Sequence, residues 1–112
     1  MKLLLRRAGE FNADFDRQYR WYLEQAGEEV AERFLHAVVV TLRLLAEQSD
    51  LGRRRKFRHL KLHDLRSFQV KHPFQNILIF YRTTENILEA WRLMHGARDL
   101  PRRLVESPGS AD

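Results

Sequence analysis

From Leu65 to Leu100 the chain reads LRSFQVKHPFQNILIFYRTTENILEAWRLMHGARDL, three strand-like runs in close succession that end abruptly at His95, Gly96, Ala97, Arg98 and Asp99. This stretch restricts the fold most, because strands joined by turns this short lie side by side. In the first run the period is two. Phe68 and Val70 face one way and Arg66, Gln69 and Lys71 largely the other, until Pro73 stops the run for want of a ladder N–H. Pro73 to Asn76 then reads as a hairpin loop. Ile77 to Tyr81 is apolar on both faces, as expected of a central strand covered on its second side by aromatics or by a partner. After a turn at Thr83 to Asn86, Ile87 to His95 makes the third strand.

Upstream, the period is helical. Phe11, Phe15, Tyr19, Tyr22 and Ala26 lay one apolar stripe along a first helix, with Asn12 as its expected N-cap and Asp14 and Asp16 suited to the positive dipole end. Gly27 stops it, having no Cβ to oppose a left-handed conformation. A second helix starts at once with Glu28 and Glu29 and carries Val30, Phe34, Val38, Leu42 and Leu45 on one face. So short a turn folds the helices back as a hairpin, whose apolar faces need a third surface. With a short opening strand at Leu3 to Leu5, the order is β-α-α-β-β-β. The fold class is α+β, an N-terminal helix hairpin packed on a small, largely antiparallel sheet.

At 112 residues one domain is expected, over 1–104, with Pro101 and a tail at 105–112 loosely ordered. Hydrophobic residues at 44% and charged residues at 31% suit a soluble globular protein. The chain has no cysteine, so disulfides and thiolate metal sites are excluded and the cytosol is the default compartment. The apolar run in MKLLLRRAG is too short for a secretory or membrane segment. Charge is uneven: residues 1–49 hold 7 Lys/Arg against 8 Asp/Glu, and residues 50–112 hold 13 against 7, or −1 and +6. The cationic half favours an anionic partner, nucleic acid or an acidic protein segment. Within it, Arg53, Arg54, Arg55, Lys56 and Arg58 form a basic run that either grips phosphates or is simply a solvated loop.

Few residues support chemistry. His59 and His63, four apart, share a face only in a helix, and no glutamate follows His59, so neither a metal nor a cofactor is expected. None of Ser49, Ser67, Ser107 and Ser110 sits in a nucleophile elbow, and no glycine loop can cradle phosphate. One enzymatic reading remains, RNA cleavage by attack of the 2′-hydroxyl on its own phosphate, with Arg66, Lys71, Arg82, Arg92, His95 and Arg98 furnishing cations on one sheet face. The plain alternative is that these are outward residues of a wet face. Trp21, Phe34, Phe68, Phe80 and Trp91 read as core rather than as base-stacking platforms.

The wording of Leu65 to Phe68, Ile77 to Arg82 and His95 to Asp99, together with the element order from the first helix to about Leu104, resembles the ParE branch of the RelE/ParE toxins of bacterial toxin–antitoxin modules. The resemblance implies a toxin held inactive by a tight ParD-like or other antitoxin whose C-terminal segment wraps it, in a hetero-oligomer. ParE-like members bind DNA gyrase and trap its cleaved-DNA complex without being enzymes. RelE-like members cut mRNA in the ribosomal A site, many with a late tyrosine or histidine. Arg98 matches the arginine RelE-like toxins carry after the last strand, yet residues 99–112 contain neither Tyr nor His. The gyrase inhibitor is therefore the expected function. A ribosome-dependent endoribonuclease, with His95 as the acid, is the alternative, and a noncatalytic toxin-fold binding module the third reading. Arg66, Lys71, Arg82, Arg92, His95 and Arg98 are the expected contacts to antitoxin or target.

Overall fold

The structure, a computed structural model, describes residues 2–96 and 100–108. Its elements are β1 (Leu4–Arg7), α1 (Gly9–Ala26), α2 (Glu28–Glu47), β2 (Arg53–Arg54), β3 (Arg66–Gln69), β4 (Ile77–Thr83), β5 (Ile87–His95) and α3 (Leu100–Val105). Among the described residues the strands form one sheet in the order β1-β5-β4-β3-β2, antiparallel except for the parallel pair β1–β5. The expected α+β layout is therefore present, with two additions, the edge strand β2 inside the basic run and the short helix α3. No helix of the described residues is long and apolar enough to cross a membrane.

The helix hairpin turns where the sequence placed it. Gly27 closes α1 and opens α2 with φ +96°, a conformation that a Cβ would strain. The start of α1 differs from expectation. Ala8, not Asn12, is the N-cap, with no side-chain cap bond, because its backbone N–H is tied to the Ala90 carbonyl of β5. The helix thus begins as soon as the chain leaves the sheet, and Asp14 is carried past the first turn, away from the dipole end.

One core lies between the hairpin and the sheet. Phe11, Phe34, Val38, Leu42 and Leu45 meet Val70, Ile77, Ile79, Tyr81, Leu88, Ala90 and Leu93 there. A second core covers the other sheet face, where Leu62, Leu65, Phe80, Met94 and Leu104 pack with half-buried Phe57, Leu78 and Trp91. This explains why β4 is apolar on both sides: the cover is the segment after the basic run together with α3. Pro101 accordingly lies in a helix rather than in loose chain, and Leu104 is fully buried.

A register shift decides which side chains of β5 face which core. Phe80 pairs with Arg92 but Tyr81 with Ala90, so Trp91 is an extra residue. Ala90 and Leu93 keep the hairpin side, and Trp91 and Met94 fall on the other.

Candidate functional site

The expected cations do not share one face. Arg66 pairs across the ladder with Tyr81, which belongs to the hairpin-side core, whereas Arg92 pairs with Phe80 of the second core. Parity is the physical reason. Residues 66, 68 and 70 of a strand point the same way, so Arg66 shares its side with Phe68 and Val70.

Three arginines tie the segment that runs from Asp50 to His63 to the sheet, Arg66 and Arg82 from the strands and Arg55 from the segment itself. Arg66 donates from Nη1 to the carbonyls of Gly52 at 2.8 Å and Asp50 at 3.3 Å. Its 3.8 Å approach to the exposed Asp50 carboxylate adds little in water. Arg55 donates from Nε to Ser67 Oγ at 2.7 Å and lies 5.8 Å above the Phe80 ring. Burial lowers the Arg55 pKa, and the neighbouring Arg53 charge adds to that, yet a guanidinium stays charged. Arg82 lies 4.8 Å over Trp91 and donates to the His63 carbonyl at 3.0 Å and to that of Lys61.

Tyr81 secures the start of the segment. Its hydroxyl donates to the Ser49 carbonyl at 2.7 Å and accepts the Gly52 N–H at 2.9 Å. Burial raises its pKa, opposed by the Gly52 N–H, so the phenol remains the neutral donor this arrangement needs. A Cβ on Gly52 would stand 2.2 Å from that oxygen, so the close approach requires glycine. Tyr81→Phe is expected to cost about 1–3 kcal/mol in urea unfolding, by leaving the Gly52 N–H and Ser49 carbonyl without partners. Unchanged hydrogen-exchange protection of the Gly52 amide would refute the assignment.

Arg92, expected as an outward contact, is buried within the fold. Its side chain is 4% exposed and meets Asp14, itself 9% exposed, through Nε–Oδ2 at 2.6 Å and Nη2–Oδ1 at 3.0 Å. Nη1 reaches the carbonyls of Leu104 at 3.0 Å, in the last turn of α3, and of Glu106 at 2.7 Å, just past it. Asp14 also accepts the Leu93 N–H at 3.0 Å. This ion pair joins α1, β5 and α3, and the packed chain continues through Glu106.

The remaining expected residues are apart. Lys71 is exposed and lines a cavity of about 900 Å³ with Glu28, Glu32, His36, Val40 and Phe74, between α2 and the β3–β4 loop. His95, also exposed, ends β5 and lines a groove of about 530 Å³ with Arg17, Trp21, Met94 and Arg103. Arg98 lies outside the described residues. His59 Nδ1 accepts the Lys61 N–H at 3.1 Å and so caps a short 3₁₀ turn at Leu60–Leu62. No group of three potential metal-binding side chains occurs among the described residues.

Sequence reasoning missed Asp14, Tyr81 and Trp91 as the partners that engage this chemistry. For Arg92 a signal existed: an arginine among Ala90, Trp91, Leu93 and Met94 is flanked by residues that are normally buried, and a buried cation requires an anion.

Two solved structures share the fold. The chromosomal ParDE TA system from P. aeruginosa superposes with a TM-score of 0.67 at 17% identity, over 84% of this chain and 96% of that one. The conserved hypothetical protein HP0894 from Helicobacter pylori, a solution structure, gives 0.53 at 22% identity, over 84% and 94%. Among curated protein sequences no match is found. A family model described as the ParE toxin of type II toxin-antitoxin system, parDE, matches residues 5–100, and this chain belongs to that family.

Proposed function

We propose that the protein is a noncatalytic inhibitor of DNA gyrase, held inactive in the bacterial cytoplasm by a cognate ParD-like antitoxin. The observation that carries the reading is the engagement of Arg66, Arg82 and Arg92 within the fold. A ribonuclease of this fold would aim such cations at a scissile phosphate, where charge develops in the phosphorane. Here their N–H groups are directed to backbone carbonyls and to Asp14, and the sequence supplies neither Tyr nor His from 99 to 112. An inhibitor that works by binding needs no such constellation.

An antitoxin partner follows from the family and agrees with the apolar surface. Leu4 on β1 is 70% exposed and Trp21 on α1 is 53% exposed, and large apolar side chains in water favour a tight protein partner. The toxin domain is read as starting at residue 1 and reaching past 104, since α3 ends at Val105 and Arg92 binds the Glu106 carbonyl.

The purified protein is expected to inhibit gyrase supercoiling and to accumulate cleaved DNA, with antitoxin reversing both effects. Ribosome-dependent mRNA cleavage with gyrase untouched would overturn the reading and restore the endoribonuclease.

A further inference from the structure

We propose that the segment from Gly52 to His63 is a preorganised ribbon that binds the phosphate backbone of duplex DNA. The inference rests on the gyrase reading for its choice of duplex, since a gyrase inhibitor works beside one.

Charge is the first observation. Residues 51–63 contain six Lys/Arg and no Asp/Glu, so of the net +5 the rest of the chain carries 14 Lys/Arg against 15 Asp/Glu, or −1. The whole excess of positive charge lies in this segment. Arg53, Arg54, Lys56, Arg58 and Lys61 are exposed, and among the described residues no other side chain pairs with theirs.

The second observation is how firmly the segment is held. Arg66 grips its start at the Gly52 carbonyl and Arg82 its end at the carbonyls of Lys61 and His63. Between them Arg55 is bound to Ser67, while Phe57 and Leu62 enter the second core. Exposure therefore alternates. Arg54, Lys56 and Arg58 point to solvent while Arg55 and Phe57 turn inward. A loop that served solubility alone would need none of these anchors. Fixing the backbone beforehand lowers the ordering entropy that binding would otherwise have to overcome.

The third consideration is the kind of anion. Leu60, 80% exposed, and Leu51 just before the ribbon, 43% exposed, stand nine positions apart, so little continuous apolar area is available to hold a peptide. Exposed pairs with carboxylates contribute little each, whereas every duplex phosphate neutralised releases condensed counterions. A row of free cations without an apolar groove suits the denser polyanion.

The experiment is fluorescence anisotropy of the full chain with a labelled duplex of arbitrary sequence at stepped salt, without gyrase. If five cations engage, log K falls with log salt at a slope near −4.5, roughly 500-fold between 50 and 200 mM. Arg54→Gln, Lys56→Gln and Arg58→Gln together should flatten the slope by about 2.7. Their side chains have no partners among the described residues, so the thermal midpoint should stay in place. A variant with Arg7→Gln, Arg33→Gln and Arg43→Gln, which loses the same charge from elsewhere on the surface, should leave the slope unchanged.

No duplex binding at 50 mM salt, equal flattening in both variants, or tighter binding to polyglutamate or to an RNA duplex of the same sequence would each overturn the proposal. A protein that binds duplex in this way yet leaves supercoiling untouched supports the ribbon and overturns the gyrase reading, so the two failures are told apart.

Discussion

Asp14→Ala is expected to destabilise the fold by about 3–5 kcal/mol, because it leaves the Arg92 guanidinium buried without its counterion. The pair is nearly closed to water, with 4% and 9% of the two side chains exposed, and Asp14 also satisfies the Leu93 N–H. Removing the carboxylate thus orphans a charge and a backbone donor together. Urea unfolding reads the loss as a lowered midpoint at unchanged m-value. The double variant Asp14→Leu with Arg92→Leu separates charge from packing, since exchanging both members of a buried pair for apolar residues is often close to neutral. Full recovery is not expected, as Arg92 also holds the carbonyls of Leu104 and Glu106 at the end of α3. A single-variant loss below about 1 kcal/mol would mean that water reaches Arg92 and that the pair does not join the three elements.

Phe34→Ala should cost a similar amount, about 3–5 kcal/mol, for a different reason. Phe34 is fully buried where both helices meet the β3–β4 loop. Its ring stacks on Phe15 at 5.4 Å and touches Tyr22 at 5.0 Å and Phe74 at 5.3 Å. Truncation opens a cavity that the neighbouring rings, two on α1 and one in the β3–β4 loop, cannot close together. For a domain of this size each kcal/mol moves the midpoint about 4–8 °C, so a thermal melt should fall by roughly 12 °C or more. Trp21→Ala, at a half-exposed ring on the same hairpin, should shift it much less. Comparable melts for the two variants would show that the aromatic cluster does not hold the hairpin to the sheet.

Both losses act through folding, whereas the exchanges at Arg54, Lys56 and Arg58 are expected to leave stability in place. On the proposed reading, stability and target binding separate in this molecule, with Arg66, Arg82 and Arg92 serving the first and the exposed cations of residues 53–61 the second.

Much of the fold was legible from local pattern. The stripe through Phe11, Phe15, Tyr19 and Tyr22, the stop at Gly27 and the two-sided apolar run of β4 are each read within a few residues of themselves. The N-terminus of α1 was not, since the Ala8–Ala90 bond that begins the helix comes from the last strand. Nor was the side of Arg92: an uninterrupted period of two through β5 would align it with Leu88 and Ala90, and the extra residue Trp91 turns it to the other face. Bulges of this kind leave little trace in composition.

The sequence by itself determined the elements, their order and the cationic second half, because periodicity, turn chemistry and charge are properties of neighbouring residues. Only the tertiary structure decided which cations are free. An arginine's availability depends on what the fold sets against it, and these partners are remote: Asp14 stands 78 positions from Arg92, and the Lys61 carbonyl 21 from Arg82. Arg66, Arg82 and Arg92, expected to reach a partner, hold the scaffold, and Arg66 and Arg82 fasten the run that read equally well as a solvated loop.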